Sequence, residues 1–532
     1  MYDLVLEGGL VLDGSGSPAE RADVAIAAGR IARVGDLASE AAAERLNVAG
    51  HVVAPGFIDM HSHSDHALLA NREAFSKVTQ GITTEVGGNC GFSSGPVAPD
   101  ELADGLAELG ISDRWQSLGE FLDLLTERGP SVNFCTLVGH GNLRRSAMGA
   151  GARAADRADL LAMRRLADQA LDEGAIGIST GLIYPPGCYS NTDELVEVCR
   201  SAGEHGALYA THMRSEGNQL GDAVAEAIEI GRRSGARVQI SHHKGCGSFN
   251  WGKVTRTLAM IDAAVAEGVG VWADQYPYIA TSTDLGALLP DRVYDGGRDA
   301  ALKRLADPAV CQRLRVELHG SEGPARQGAS FSDVMITQVK TDANRWTEGL
   351  RLSDVAEAWQ MDVVDALLRL LTEERLDVAM CNFILCEEDV ETVMRHPRVC
   401  IGTDATARRP DGPLGRGKPH PRSYGTFPRV LGRYVRERKV ISLEEAVRKM
   451  TSLPAAILRL SHRGLVREGY WADLVVFDPL TVLDCATFEK PHVTSVGIAH
   501  VLVNGVPVVR DGQVTGATPG RVLRLQADCT VS

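Results

Sequence analysis

Two patterns of apolar and polar positions occur along the 532-residue chain, and they predict two kinds of structure. Residues 1–54 and 465–532 contain short segments in which apolar and polar residues alternate, with Gly-rich turns between them, which is typical of antiparallel β-strands. Between these ends, short apolar runs are separated by longer segments with helical spacing, which is typical of βαβ units. We therefore expect both chain ends to form one small β-sandwich domain beside a different central domain.

Eight apolar runs in the central segment are candidate strands. The runs are GFIDMHSH, GITTEVGGNC, VNFCTLVGHG, AIGISTGL, ALYATHMRS, RVQISHHK, VGVWADQYPY and RVCIGTDA. Eight strands with helical segments between them predict an α/β fold in which residues 55–464 form a (β/α)8 or TIM barrel. The stretch 281–398, before the eighth run, is too long for a simple connection and predicts an insertion with its own helices near the active site.

Composition and charge exclude several function classes. The net charge of −14 argues against general binding to nucleic acid or to anionic membranes. The chain has no apolar run of the ~18 residues that a membrane-spanning helix needs, and its N-terminus lacks a signal-peptide pattern. The eleven cysteines have no disulfide-like spacing, which favours a reducing compartment. We therefore expect a cytoplasmic protein that acts on a small molecule, and the oligomeric state stays open.

Residue types that bind metals occur at the predicted carboxyl ends of five of the eight strands. These ends line the active site of a TIM barrel. The residues are His61 and His63 on strand 1, Cys90 on strand 2, His212 on strand 5, His242 on strand 6 and Asp404 on strand 8. Each has an ordinary structural explanation alone, such as a buried thiol or a helix cap. Their occurrence on one rim predicts a metal centre.

Imidazole, thiolate and carboxylate groups together predict zinc and hydrolysis. They are the usual ligands of zinc, and a catalytic zinc site keeps one position open for water. Zinc lowers the pKa of that water to about 7 and polarises a carbonyl oxygen. A nearby carboxylate can move the proton of the water to a leaving nitrogen. The expected chemistry is metal-assisted hydrolysis of an amide-like bond.

The motifs of the chain resemble those of a known family over nearly its whole length. The segments APGFIDMHSHSD, GTDA and GYWADLVVFD resemble the amidohydrolase superfamily. Cys90 in TTEVGGNCG, together with STGLIYPPGCYS, THMRSEG, ISHHKG, DQYPY and HPRSYGTFPRVL, resembles the N-acyl-D-amino-acid deacylases, or D-aminoacylases. Dinuclear relatives such as hydantoinases carry a carboxylated lysine on strand 4, and strand 4 has no lysine here.

This resemblance implies a set of metal-site roles. It implies one tightly bound zinc on Cys90, His212 and His242, and a second, weaker metal position on His61 and His63 with Asp404 and a shared Cys90 as candidate ligands. Asp404 is implied to act first as general base and then as general acid. The implied reaction is zinc-dependent hydrolysis of an N-acyl-D-amino acid, and the preference for the D-enantiomer rests on the resemblance alone.

The resemblance also implies substrate-binding residues, and it leaves alternatives open. Lys244 is expected to pair with the α-carboxylate of the substrate, although a solvent-exposed loop lysine is an equal alternative. Tyr276 is expected to assist, and Tyr278 competes for the same match. The rival functions are a cyclic-amide hydrolase of the hydantoinase or dihydropyrimidinase type and a non-enzymatic scaffold with the same fold.

Overall fold

The structure is a computed structural model that describes residues 1–97, 102–320 and 329–532. In these residues the strands are β1 Tyr2–Val11, β2 Glu20–Ala27, β3 Arg30–Gly35, β4 Ala42–Asn47, β5 Val52–Pro55, β6 Phe57–Asp59, β7 Ile82–Gly87, β8 Asn133–Thr136, β9 Val138–Gly139, β10 Gly177–Gly181, β11 Leu208–His212, β12 Arg237–Ile240, β13 Val271–Gln275, β14 Thr281–Asp284, β15 Val334–Val339, β16 Val378–Asn382, β17 Val399–Ile401, β18 Leu474–Phe477, β19 Ile498–Val503, β20 Val506–Arg510 and β21 Gln513–Val514.

The α-helices of the described residues lie mainly between the central strands and in the segment before β17. They are α1 Ala67–Ala70, α2 Phe75–Val78, α3 Ala103–Glu108, α4 Leu118–Arg128, α5 His140–Met148, α6 Arg157–Asp172, α7 Thr192–Glu204, α8 Leu220–Ser234, α9 Lys253–Ala266, α10 Arg298–Leu305, α11 Pro308–His319, α12 Leu352–Ala358, α13 Val363–Glu373, α14 Glu387–Arg395, α15 Arg422–Arg429, α16 Leu443–Met450 and α17 Ser452–Leu458. Within the described ranges, every helix is too short or too polar to span a lipid bilayer.

One nine-stranded sheet joins the two ends of the chain. Its order is β21-β20-β19-β18-β5-β1-β2-β3, and β4 pairs with β1. Strand β5 connects the halves because it lies parallel to β1 and antiparallel to β18. Apolar side chains from both halves, such as Leu6, Val24 and Leu474, pack in one core beneath the sheet. The domain limits of 1–54, 55–464 and 465–532 stay predictions.

The central strands form the predicted (β/α)8 barrel. Strands β6, β7 and β8 are parallel, and β9, β10, β11, β12, β13 and β17 form a second parallel set. Strands β8 and β9 are consecutive parts of one chain segment, so the nine strands occupy eight positions. The ring closes where the Asp404 N–H donates to the His61 carbonyl at 2.7 Å. Each of the eight apolar runs contains a strand, which confirms the predicted fold class.

Amphipathic helices cover the barrel, and their ends follow the sequence signals. Helix α8 buries Leu220, Val224 and Ala227 on one face and ends at Gly235, whose φ of 77° is left-handed. Glycine is the residue that adopts this conformation most easily. Helix α16 begins after Ser442, whose hydroxyl accepts a hydrogen bond from the Glu445 N–H at 3.2 Å. The spacing of this serine and glutamate predicted that cap.

The stretch 281–398 contains strands that the sequence did not predict, besides its helices. Strands β14, β16 and β15 form an antiparallel sheet in that order. Helices α10 to α13 pack with it around a separate apolar core that includes Leu285, Val334, Leu367 and Met380. Helix α14 instead packs against α9 and β17 of the barrel. The antiparallel sheet thus adds a unit of its own between β13 and β17, and it lines the cavity described below.

Candidate metal centre and active-site cavity

The six predicted ligand residues lie at or just beyond the carboxyl ends of barrel strands. His212 is the last residue of β11, whereas the other five follow their strands by two to four residues. All of them except His63, which is partly exposed, are buried. The short β/α loops of the barrel therefore present these side chains toward a common centre.

The Cys90 thiol lies between three imidazoles. Its Sγ is 3.3 Å from His61 Nε2, 3.6 Å from His242 Nε2 and 3.7 Å from His212 Nδ1. One ligand atom each of His61, Cys90, His242 and Asp404 lies within 4.8 Å of the others. This spacing allows a single ion to contact several of these atoms.

Asp404 completes the cluster on the side of strand β6. Its Oδ1 is 3.5 Å from His61 Nε2 and 3.0 Å from His63 Nε2. Its Oδ2 is 2.8 Å from a guanidinium nitrogen of Arg422, a buried residue at the start of α15. Burial raises the pKa of the Asp404 carboxyl, but Arg422 and the nearby histidines hold that pKa well below its ordinary value. Asp404 is therefore ionised at neutral pH.

Three of the candidate ligands have a left-handed backbone. The φ angles are 55° at Cys90, 36° at His242 and 49° at Asp404. Such angles are uncommon outside glycine and cost about 1–3 kcal/mol each, and they concentrate at functional sites. The glycines beside Cys90 make this tight turn possible, since a Cβ at Gly91 would lie 2.6 Å from the Gly181 nitrogen.

Buried carboxylates contact the far nitrogens of the ligand histidines. Glu216 Oε1 lies 2.9 Å from His242 Nδ1, and Asp274 Oδ1 lies 3.3 Å from His61 Nδ1. Such partners fix the ring orientation of metal-binding histidines and raise their basicity. Neither residue is among those predicted from the sequence. The available signals were an acidic residue four positions after His212 and a charge inside the apolar run of β13.

Electrostatics favour a thiolate at the centre. Burial raises the pKa of the Cys90 thiol, but the charge of His61 and hydrogen bonds with two further histidines hold that pKa well below its ordinary value. Burial lowers the pKa of His212, which favours the neutral imidazole that binds metals. A thiolate, as at Cys90, and a neutral imidazole, as at His212, are the forms in which these side chains bind zinc.

The donor set fits a zinc ion. A thiolate, imidazoles and a carboxylate converge, which matches the preferences of zinc better than those of the hard cations calcium and magnesium. A second group, formed by His212, Glu216 and His242, is also close enough to hold an ion. The ammonium of Lys244, 2.5 Å from Glu216 Oε1, already neutralises that carboxylate and repels a cation there.

Lys244 and Tyr276 both line the cavity above the cluster. Lys244 is only 8% exposed, so it is not a solvent-facing loop lysine. Its Nζ lies 5.4 Å from the Tyr276 ring centroid, and the Arg422 guanidinium lies 4.6 Å from the same centroid. Tyr278 does not line this cavity and packs instead against Arg429 and a histidine. Of the two tyrosines that the sequence allowed for the same role, Tyr276 therefore lines the cavity and Tyr278 does not.

The cavity has a volume of about 370 Å³ and walls from two parts of the chain. The barrel contributes the metal-binding cluster, Phe92 and Tyr184, and the segment between β13 and β17 contributes Thr281–Asp284, Ala287, Leu288 and Met380. Described residues of the segment between β13 and β17 thus form part of the wall at the mouth of the barrel.

His140 and Tyr189 lie in sequence segments that resemble the D-aminoacylases, and both have structural partners. His140 begins α5, and its Nε2 lies 3.2 Å from the buried Glu194, which also pairs with Arg144. The Tyr189 hydroxyl donates to the Asp291 carbonyl at 2.8 Å. These contacts give both side chains a structural role.

Comparisons with known proteins give one family and several similar proteins. The model described as "Amidohydrolase family" matches residues 46–509. A D-aminoacylase from Alcaligenes xylosoxydans xylosoxydans is 41% identical over 98% of this chain and 97% of its own length. A solved D-aminoacylase, whose binuclear metal centre shows one-metal activation and second-metal attenuation, has a TM-score of 0.83 at 40% identity and covers 98% of this chain and 100% of its own. N-acyl-D-glutamate deacylase from Bordetella bronchiseptica, solved with zinc and a phosphonate mimic of the tetrahedral intermediate, has a TM-score of 0.83 at 37% identity, covering 98% and 99%.

Proposed function

The chain belongs to the amidohydrolase family, and from that premise we propose that it is a zinc-dependent hydrolase that cleaves N-acyl-D-amino acids into a carboxylate and a free D-amino acid. The observation that carries the proposal is the position of the Cys90 thiol between His212 and His242 below a cavity that also contains a buried cation, Lys244. Full-length relatives named for this activity support it. The small-molecule substrate and a cytoplasmic location belong to the same proposal, and the eleven free cysteines support a reducing compartment.

The side chains divide into two metal positions in this proposal. Cys90, His212 and His242 hold the tightly bound zinc. His61 and His63, with Asp404, form the weaker second position, to which the Cys90 sulfur is also close at 3.3 Å from His61. Zinc bound at the first position supplies a water of lowered pKa and a Lewis acid for the substrate carbonyl.

Asp404 moves the proton. Its carboxylate is ionised and is held by Arg422 and His63, so one oxygen faces the cluster in a fixed orientation. As the water oxygen bonds to the acyl carbon, Asp404 accepts the proton of the water. It then donates this proton to the amide nitrogen while the C–N bond breaks, which gives the carboxylate and the amine of the products.

Lys244 and Tyr276 bind the α-carboxylate of the substrate. Burial lowers the pKa of the Lys244 ammonium, but Glu216 raises it above its ordinary value, so the side chain stays cationic. The Tyr276 hydroxyl has no hydrogen-bond partner among the described residues and is free to donate. A fixed carboxylate holds the scissile amide in place over the metal position.

The same observations do not favour the rival functions. A dinuclear site of the hydantoinase type needs a lysine on the fourth barrel strand, and β10 has the sequence GISTG. A non-enzymatic scaffold has no reason to keep three strained ligand residues, whose conformations cost free energy.

The experiment that tests the function is hydrolysis of paired N-acetyl-D- and N-acetyl-L-amino acids by the zinc-loaded protein, with a 5-substituted hydantoin as a third substrate. We expect turnover of the D-compounds and not of their L-enantiomers. Turnover of the hydantoin alone would replace the proposal with cyclic-amide hydrolysis, and no turnover of any substrate by a zinc-loaded protein would refute it.

A further inference from the structure

A second cavity adjoins the active-site cavity on the side away from Lys244. Its volume is about 220 Å³. The two cavities share five wall residues, which are Phe92, Ile183, Tyr184, Asp284 and Ala287. Apolar side chains such as Pro185, Pro186, Leu289 and Leu376 form much of the remaining wall, and Arg145 and Arg298 also contribute.

The shared wall lies close to the metal-binding cluster. The Tyr184 ring is 5.1 Å from the ring of His212 and 5.9 Å from that of Phe92. The Tyr184 hydroxyl and the Thr283 hydroxyl are 2.8 Å apart, which joins the loop after β10 to strand β14. Asp284, the next residue, lines the same cavity as the metal-binding cluster.

The direction of the acyl group follows from the geometry of an amide. In a trans amide the two substituents extend in opposite directions from the C–N bond. Lys244 and Tyr276 follow β12 and β13, whereas Phe92 and Tyr184 follow β7 and β10 on the other side of the barrel. If Lys244 and Tyr276 hold the α-carboxylate, the acyl group extends toward Tyr184, Asp284 and the second cavity.

Asp284 is a carboxylate without a partner in this position. Among the described residues, none forms a hydrogen bond or an ion pair with its side chain, which lies exposed in the wall of both cavities. The charges of Asp377, Arg298 and His63 act on this carboxyl. A plain hydrocarbon acyl chain would displace water from this carboxylate without replacing its hydrogen bonds, which costs free energy. An ammonium group would satisfy it.

We propose that the preferred substrates carry an aminoacyl group, as in a dipeptide with a C-terminal D-residue, whose free α-ammonium pairs with Asp284 and whose side chain enters the second cavity. This inference rests on the proposed deacylase function. It names the acyl group that the function leaves open, and the reaction stays the same hydrolysis of one amide bond by one water molecule.

A matched set of three substrates tests the proposal on the zinc-loaded enzyme. L-Leucyl-D-leucine carries the ammonium, N-(4-methylpentanoyl)-D-leucine has the same carbon skeleton without it, and N-acetyl-D-leucine has neither the ammonium nor the side chain. We expect kcat/KM to be about 10- to 100-fold higher for the dipeptide than for its des-amino analogue, as for a hydrogen bond to a charged group. The des-amino analogue should in turn exceed the acetyl compound, because its side chain is buried.

Two variants separate the ammonium site from a general charge effect. Asp284→Asn should remove most of the dipeptide preference over the des-amino analogue. Asp377→Asn is the matched control, because Asp377 is an exposed neighbour that lines neither cavity, and the preference should persist in it.

A third variant tests whether the acyl side chain enters the second cavity. Ala287→Phe should lower the ratio of kcat/KM for the des-amino analogue to that for N-acetyl-D-leucine by tenfold or more, because its ring would fill the passage between the cavities.

The outcomes distinguish this inference from the function on which it rests. Equal kcat/KM values for the dipeptide and its des-amino analogue, or a preference that survives Asp284→Asn, would overturn the inference while N-acetyl-D-leucine is still hydrolysed. If none of the three D-compounds is hydrolysed, the proposed function itself fails.

Discussion

Replacing Lys77 with methionine tests whether a buried ionic network supports the metal-binding strands. The Lys77 ammonium is fully buried beneath the cluster. Its Nζ is 2.7 Å from Asp59 Oδ2 on β6, 3.2 Å from Glu85 Oε2 on β7 and 2.8 Å from the Thr403 hydroxyl beside Asp404. One cation thus links the segments that carry His61 and Asp404.

The expected loss in free energy of unfolding follows from the buried carboxylates that the substitution leaves without a counter-ion. Methionine keeps most of the volume of the lysine but removes the charge that balances two buried carboxylates. Removing one partner of a buried ion pair costs about 3–5 kcal/mol, because the remaining charge has neither water nor a counter-ion. We therefore expect Lys77→Met to lower the free energy of unfolding by about that amount, and Lys303→Met, at an exposed position of α10, to change it by less than about 0.5 kcal/mol.

The assay is urea unfolding of the zinc-free proteins at two pH values. Burial raises the pKa of the Glu85 carboxyl, and this carboxyl can take up a proton when Lys77 is absent. When the pKa of a carboxyl is higher in the folded than in the unfolded protein, the folded protein loses stability as pH rises through that pKa. The destabilisation should therefore be larger at pH 8 than at pH 5, and adding Glu85→Gln should recover part of it. A loss below 1 kcal/mol at pH 8 would refute the reasoning.

Three further predictions concern the site itself. Glu216→Gln should weaken zinc binding by 10- to 100-fold in a chelator competition, because His242 loses its carboxylate partner; unchanged affinity would contradict the supporting role of Glu216. Asp404→Asn should lower kcat by about 10²–10⁴-fold while about one zinc per chain remains bound, and a loss of all zinc would instead make Asp404 an essential ligand. Although Asp284 opens into both cavities, the surrounding protein reduces the hydration of its carboxyl, and together with the charge of Asp377 this raises the pKa of Asp284 to about 6, so the carboxylate loses its charge as pH falls through that value. The preference for L-leucyl-D-leucine over its des-amino analogue should therefore decline as pH falls below about 6, and a preference independent of pH between 5 and 8 would exclude Asp284 as its cause.

The barrel and the candidate ligands could be predicted because the signals are local. Each strand is a short apolar run, and the residue type directly after it is visible in the sequence. His61, Cys90, His212, His242 and Asp404 follow such runs, and parallel strands in a barrel bring their ends together whatever the details of packing. The (β/α)8 class and the position of the cluster both follow from that rule.

The supporting residues could not be predicted because their roles depend on long-range packing. Arg422 lies 18 positions after Asp404 in the sequence, and only the placement of α15 brings the two side chains to 2.8 Å. Glu216 and Asp274 are acidic residues like many on the surface until folding buries them. Period-two alternation places Tyr276 and Tyr278 on the same side, but the Tyr278 N–H bonds the Tyr276 carbonyl at 3.0 Å, and this tight turn directs them to different surroundings.

X-ray absorption spectroscopy of the protein loaded with one equivalent of zinc tests the central claim most directly. If Cys90, His212 and His242 hold the ion, the first coordination shell contains one sulfur at about 2.3 Å and nitrogen or oxygen ligands at about 2.0–2.2 Å. The sulfur should disappear in Cys90→Ala. A shell without sulfur in the unaltered protein, or a sulfur that persists in Cys90→Ala, would contradict the account.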